Sequence, residues 1–320
     1  MIAPSMNAPA AIQRESGEVT YLPDHLSASS ISLFGQCSLK WLFSRLYDTA
    51  WVPSALAFGA AIHSCFEHHS RQLMTGESTD ATELLAVFTE KWNAFESKKP
   101  VRYGSREDRD ALMCKAANII DVFLDTRNGE RTILAIEEPF SIQLADDLPP
   151  IIGFIDLITL ERSGDDVWIG VYDYKTAAKK PGESVGKDKM DQLVLYNLAL
   201  KSVHAVEGLE GLPVKLSYEF FTKTKKAARY AVSVEPTRRD KERFIAKARA
   251  VWRAIQANAI HPQRGWMCSS CPYTQHCSKW PDWTSIERNH KRKNGGQNGR
   301  LQTQDLFADL QEAAGGSAEA

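Results

Sequence analysis

The 320-residue chain lacks any stretch of about 18 consecutive apolar residues, the length a helix needs to cross a bilayer. It also lacks a cationic start followed by an apolar run. The first residues read MIAPSMNAPAAIQRESGE, so no secretory leader is expected. No charge of one sign dominates: 39 Lys plus Arg face 40 Asp plus Glu, for a formal net charge of -1. That balance excludes a histone-like polybasic protein, though not a local basic surface. Cysteine is scarce, and six in the whole chain are too few for a disulfide-stapled scaffold. No internal repeat is evident. What remains is ordinary, with 43% hydrophobic and 25% charged residues, which excludes wholesale disorder. The chain can build roughly two domains, or one large domain with appendages. Its expected location is cytoplasmic.

Periodicity divides the chain. The first 26 residues are rich in Ala, Pro and Ser and show no sustained period, as in an irregular arm. From Ser27 a helical pattern begins, with Phe34, Cys37, Trp41 and Leu42 at helical spacing, which would turn Cys37 inward. A second helix is expected over about 54–73, with Phe58, Ile62, Phe66 and Leu73 on one side and His63 and Glu67 on another. Two more are expected over about 80–97 and 106–127. The period then changes. Residues 132–144, 151–161 and 166–175 are short β-branched and aromatic runs separated by turn residues, the text of a three-stranded meander. A helix over about 188–204, strands over 214–223 and 228–235, and a long helix over 236–259 complete the pattern. Helices, then strands, then alternation predict α+β or α/β packing, with helices covering a mixed sheet.

Ionisable residues inside the strands carry the chemistry. Asp156 interrupts the apolar run GFIDLI, and Asp173 and Lys175 interrupt VYDYKT. An alternating strand places Asp173 and Lys175 on one face. The plain account is a buried or edge salt bridge between them. The functional account is a divalent metal site: carboxylates converging from adjacent strands, with a backbone carbonyl such as that of Tyr174, offer the hard oxygen ligands Mg²⁺ prefers. A neighbouring ammonium suits the charge that develops on a phosphate under attack.

The order GAAIH (59–63), an acid near Glu137, GFID (153–156), DYK (173–175) and QLVLY (192–196) resembles the PD-(D/E)xK nuclease superfamily in its RecB-like branch. The resemblance implies a restriction-endonuclease-like α/β core with a mixed central sheet flanked by helices. It implies that His63, Asp156 and Asp173 ligate Mg²⁺ or Mn²⁺, that Lys175 assists the attacking water, and that Gln192 and Tyr196, four residues apart on one helical face, position the lysine or the DNA. For the remaining acid, Glu137 and Glu138 are adjacent and only one can point inward.

Cys268, Cys271 and Cys277 stand as C-x2-C-x5-C in CSSCPYTQHCSKW, a spacing that lets thiolates converge on one metal centre. The candidate for a fourth ligand is Cys37 in QCSLKWLF, and spacing alone leaves zinc and an iron-sulfur cluster open. One early and three late cysteines enclosing the nuclease motifs are similar to AddB and to the CRISPR-associated RecB-like exonucleases. That resemblance implies a [4Fe-4S] cluster on Cys37, Cys268, Cys271 and Cys277 that ties the chain ends together. The organisation then expected is a flexible arm (1–26), a helical region carrying Cys37 and His63 (27–130), the nuclease core (131–260), the cysteine cluster (261–283) and a disordered tail (284–320).

Basic residues gather along the proposed site: Lys175, Lys179, Lys180, Lys187 and Lys189, then Lys215, Lys223, Lys225, Lys226 and Arg229, then Arg238, Arg239, Lys241, Arg243, Lys247 and Arg249. Each group alone reads as a solvated face, and together they suit phosphate contacts. Trp41, Tyr47, Trp51 and Phe58 offer stacking surfaces for unpaired bases, although core packing is the plainer reading of most. The tail segment QTQDLFADL (302–310) has some likeness to motifs that dock on sliding clamps. The expectation is a metal-dependent DNA exonuclease acting on single-stranded ends in repair, recombination, CRISPR adaptation or phage DNA metabolism, with helicase, recombination or adaptation proteins as partners. The rival readings are a non-catalytic DNA-binding or assembly subunit and a redox protein. The last leaves Asp156, Asp173 and Lys175 without a role.

Overall fold

A computed structural model describes residues 11–13, 19–105, 107–125, 131–182 and 190–280. In chain order the elements are strands β1 (Ala11–Gln13) and β2 (Val19–Tyr21), helices α1 (Ala28–Gln36) and α2 (Ser38–Leu46), strand β3 (Val52–Pro53), helices α3 (Ser54–Met74) and α4 (Ala81–Lys98), strand β4 (Val101–Arg102) and helix α5 (Arg109–Asp125). There follow strands β5 (Arg131–Ile142), β6 (Ile151–Ser163) and β7 (Asp166–Ala177), helix α6 (Asp191–Ala199), strands β8 (Val214–Thr222) and β9 (Arg229–Val234), helix α7 (Arg238–Gln256) and the short helix α8 (Thr274–Cys277). Among the described residues no helix is long and apolar enough to cross a membrane.

The chain divides into two units. One comprises residues 24–29 and 52–250, the other residues 1–23, 30–51 and 251–320. The first is built on a five-stranded sheet in the order β5-β6-β7-β8-β9. All neighbours are antiparallel except β7 and β8, which run parallel. A parallel pair requires a crossover, and α6 lies in that connection. The meander expected over 132–175 is present as β5, β6 and β7. Its tightest turn joins Ser163 to Asp166 through two residues, and Gly164 there adopts a φ of 61°, the left-handed conformation such hairpins need.

The core of this unit forms where α3, α4 and α5 meet the sheet. Phe58 and Phe66 of α3, Phe88 and Trp92 of α4, and Phe123 of α5 pack with Leu157, Tyr172, Tyr174 and Phe221 from the strands. The rings of Phe66 and Phe123 stack at 3.8 Å, and Tyr174 meets Phe66 edge-on at 4.9 Å. α4 starts at Asp80, whose Oδ1 accepts from Glu83 N at 2.8 Å, a standard N-cap. Gly59 sits 3.8 Å, from the position a Cβ would take, to Thr176 Oγ1, which sets α3 close against β7. The long buried aromatics thus fix α3 over the strands that carry the acids.

The second unit holds α2, α8 and the residues around them. The single helix expected from Ser27 is two. The break falls at Cys37, which has extended backbone (φ −166°, ψ 105°) and caps α2 by accepting from Lys40 N through its sulfur. Cys37 is half-buried rather than inside. Leu39, Phe43 and Tyr273 form a small core here, and Ser38 Oγ both accepts from His261 N at 2.9 Å and donates to His261 O at 3.0 Å. The helix expected over about 188–204 is shorter: α6 ends at Ala199 and gives way to single 3-10 turns at Leu200–Ser202 and His204–Val206.

Candidate active site

β6 and β7 remain hydrogen-bonded neighbours only as far as the pair Leu157 and Tyr172. Past that pair, β6 continues beside β5 to Ile151, and β7 continues beside β8 to Ala177. The sheet forks, and Asp156 and Asp173 are the first residues past the fork on their strands. At the opening Tyr174 N donates to Asp156 Oδ2 at 2.8 Å, so a side-chain carboxylate accepts a bond from β7 where the β6 ladder has ended.

Other elements converge on this point. His63 of α3 places Nδ1 3.5 Å from Asp156 Oδ2. Glu137 lies on β5 between the pairs Ile136 with Leu157 and Glu138 with Ile155, hence across from Asp156. Ligand atoms of His63, Glu137 and Asp156 lie within 4.8 Å of one another, so the acid that joins the group is Glu137. Its φ of 49° is the left-handed region, which costs a residue with a side chain about 1–2 kcal/mol. Strand alternation could not have revealed that backbone turn; the adjacent pair Glu137 and Glu138 was the sequence signal.

On β7, Lys175 Nζ lies 2.5 Å from Asp173 Oδ2, as two same-face neighbours should. On the far side of Asp173, Tyr196 of α6 donates its hydroxyl to Oδ1 at 3.2 Å, and Gln192 Nε2 donates to Tyr196 Oη at 2.8 Å. The i, i+4 spacing of Gln192 and Tyr196 is what aligns this relay. The ring of Tyr174 is buried in the core, leaving its backbone as the part at the site. Gly153 also shapes the relay: a Cβ there would stand 2.6 Å from Phe140 Cζ, and the Phe140 ring meets Tyr196 edge-on at 6.1 Å.

The electrostatics describe acids crowded at one place, each with its charged form disfavoured. Burial, and then the carboxylates of Asp156, Glu67 and Asp173, push Glu137 up to about 8. Burial raises Asp156 despite the opposing pull of His63 and Lys175. Asp173 rises to about 6, chiefly by burial, with Lys175 opposing and Asp156 reinforcing. Burial favours a neutral Lys175, but Asp173 and Asp156 outweigh it and hold the ammonium above its usual range. Burial and the neighbouring acids keep Tyr196 protonated, well above the ordinary phenol. One ammonium therefore faces three acids. Asp173 is fully buried, with Oδ2 held against the Lys175 ammonium. An imidazole and convergent carboxylates fit a hard divalent cation.

The sequence profile of the PD-(D/E)XK nuclease superfamily matches residues 25–278. The chain belongs to the PD-(D/E)XK nuclease superfamily. A search of curated proteins finds no match. Among solved structures, a Eubacterium rectale protein described as a "Putative exonuclease" aligns with a TM-score of 0.45 at 13% identity, over 78% of this chain and 88% of its own. The protein SSO0001 aligns with a TM-score of 0.31 at 12% identity, over 78% of this chain and 94% of its own.

Elsewhere in this nuclease, the four cysteines of the sequence pattern lie in the second unit, although among the described residues their sulfurs do not form a group within 4.8 Å of one another. Cys37, Cys271 and Cys277 pack against the Leu39, Phe43 and Tyr273 core. Cys37 Sγ accepts from Lys40 N and Gln263 N, each at 3.4 Å, and Cys268 Sγ accepts from Gly265 N at 3.4 Å. Burial raises the Cys277 thiol, and the neighbouring sulfurs of Cys37, Cys271 and Cys268 raise it further. Four thiols, two of them already accepting backbone N–H bonds, are a soft donor set of the kind that suits a thiolate-bound metal centre, whether zinc or iron-sulfur.

The basic residues divide. Arg229 pairs with Glu219, Arg238 with Glu242, Arg243 with Asp240, Lys247 with Asp191 and Arg249 with Asp147, while Lys215 Nζ lies 3.4 Å from the Trp168 ring centroid. Among the described residues Lys179, Lys180, Lys223, Lys225 and Lys226 carry no salt bridge, and they follow the ends of β7 and β8. Lys187, Lys189 and the 302–310 segment lie outside the described residues. Of the expected stacking aromatics, Trp41 and Phe58 are fully buried core residues; Tyr47 and Trp51 are partly exposed.

Proposed function

We propose that this nuclease is a Mg²⁺- or Mn²⁺-dependent DNA exonuclease that hydrolyses phosphodiester bonds at single-stranded ends. The observation that carries the hydrolytic reading is the fork in the sheet, where Asp156, Asp173 and Lys175 meet His63 and Glu137. His63, Glu137, Asp156, Asp173 and the Tyr174 carbonyl would hold the ion, which supplies Lewis acidity at the scissile phosphate when bound. The Lys175 ammonium places a compact positive charge where the transition state gains negative charge. Tyr196, kept protonated, donates to Asp173 and fixes the orientation of its carboxylate, and Gln192 fixes Tyr196. The preference for single-stranded ends is supported by the likeness of the motif order to RecB-like exonucleases, as are roles in repair, recombination, CRISPR adaptation or phage DNA metabolism alongside helicase, recombination or adaptation proteins.

Cys37, Cys268, Cys271 and Cys277 would hold a [4Fe-4S] cluster, whose role is to tie α2 to the carboxy-terminal knuckle within the second unit. The nuclease reading is tested by incubating end-labelled single- and double-stranded DNA with Mg²⁺ or Mn²⁺ and wild type, Asp173→Ala or Lys175→Ala. Shortening of the single strand by wild type alone is expected. Intact DNA with all three would leave a DNA-binding subunit that keeps the fold, and equal digestion by all three would remove the mechanism.

A further inference from the structure

Beyond the metal-binding acids, where β7 and β8 end, a second cluster remains unused by the chemistry above. Lys223 follows the last residue of β8, and its backbone N donates to Ala177 O at 2.7 Å, two residues beyond Lys175 on the neighbouring strand. Its side chain is half-buried, with Nζ 5.3 Å from the centroid of Phe58, on the helix that carries His63. The nearby acid is already engaged. Glu107 Oε1 accepts from Lys115 Nζ at 3.0 Å, and Ser54 Oγ donates to Glu107 Oε2 at 3.3 Å. Among the described residues Lys223 has no salt bridge.

The cluster therefore holds two ammoniums and one carboxylate around a half-buried Lys223, at the paired ends of β7 and β8 beyond Lys175. Burial and the like charge of Lys115 hold Lys223 below the ordinary lysine range, with Glu107 opposing. An unpaired, half-desolvated cation is costly to the free protein, and an anion docking there would relieve that cost. The anion available beside a phosphodiester-cleaving centre is another phosphate of the same strand.

We propose that Lys223, backed by Lys115, binds a DNA phosphate next to the one being cut and so sets how far the strand advances past Lys175. This rests on the nuclease reading. Lys223 is a positioning residue: it touches the substrate away from the reacting atoms, so its loss weakens binding more than turnover. The phosphate can be an internal phosphodiester or a terminal phosphate, and both present the same anionic oxygens.

The test uses single-stranded oligonucleotides in which one phosphate at a time is replaced by a neutral methylphosphonate, with binding measured in Ca²⁺ and cleavage in Mg²⁺. For wild type, neutralising one position beside the scissile phosphate should weaken binding about tenfold, and Lys223→Met should show a similar loss on the unmodified strand. At that position the two losses should not add. The dependence of log affinity on log salt should fall by about one contact, KM should rise while kcat stays within about twofold, and Lys223→Arg should recover most of the affinity. Lys223→Met should melt no lower than wild type, since the change removes an unpaired charge. Substrates ending in phosphate or hydroxyl identify the source, because only a terminal-phosphate site responds to that change. Identical methylphosphonate profiles for wild type and Lys223→Met would overturn the proposal. Wild type that binds with the expected profile in Ca²⁺ but never cuts would overturn the nuclease reading and leave the phosphate site standing.

Discussion

Three acids facing one ammonium, Asp173 buried and Glu137 and Asp156 half-buried, should make the metal-free protein sensitive to alkali, and Glu137 is the group to perturb. Its carboxyl is raised from 4.5 to about 8 in the folded chain. A carboxyl raised on folding opposes stability once it ionises, so the folded state is best tolerated below the unfolded value and loses stability as pH climbs through the folded one. One pKa unit corresponds to about 1.4 kcal/mol. Between about pH 5.5 and pH 8.5 the metal-free chain should thus lose roughly 2–3 kcal/mol through this residue alone. For a chain of this size that lowers Tm by several degrees. Glu137→Gln keeps the shape and removes the charge, so its Tm without metal should fall clearly less over that interval, the remainder coming from Asp156 and Asp173. Adding Mg²⁺ should raise the wild-type Tm far more at the alkaline end, and that gain should shrink in the variant. Thermal melts of both proteins at the two pH values, with chelator or with Mg²⁺, decide the matter. A wild type whose metal-free Tm is unchanged or rises with pH, while Glu137→Gln behaves identically, would refute the reasoning.

Other perturbations probe the supports of the site. Gly153→Ala drives a methyl into Phe140, which should cost about 1–3 kcal/mol by overpacking and should also slow cleavage by disturbing Tyr196; a variant with wild-type Tm and rate would contradict that packing. Tyr196→Phe removes one hydrogen bond to a carboxylate and should lower the cleavage rate about tenfold without changing Tm by more than a few degrees. An unchanged rate in single-turnover kinetics would show the relay to be idle. Cys37→Ser should abolish the broad visible absorption of an iron-sulfur cluster and lower Tm, and retention of both would show that Cys37 is not a ligand.

The meander and the helices around it were legible because strand and helix periods differ and the apolar residues keep to them: α3, β6 and β7 lie within two residues of where the pattern puts them. Asp173 and Lys175 were legible as a pair for the same reason, two residues apart on a strand. Three features were not readable. The fork between β6 and β7 depends on where a ladder stops, and no local signal in GFIDLI marks that point. The left-handed backbone at Glu137 breaks alternation, so choosing between two adjacent glutamates needed the fold. Cys37 looked like an interior helical residue because the apolar spacing runs on through it, and only three-dimensional packing shows it ending one helix and capping the next. Basic residues are a different case: the sequence counts cations, whereas Lys247 and Arg249 are each neutralised by an acid distant in the chain, and Arg229 by Glu219 on the adjoining strand.

The central claim is that Asp156 and its neighbours at the fork bind one hard divalent ion. Titrating Mn²⁺ into the protein and following the free-ion signal by electron paramagnetic resonance tests it without reference to any substrate. Wild type should bind Mn²⁺ at a site that Mg²⁺ competes for, and Asp156→Asn, folded by its melting curve, should lose it. Equal Mn²⁺ uptake by the two proteins would contradict the account.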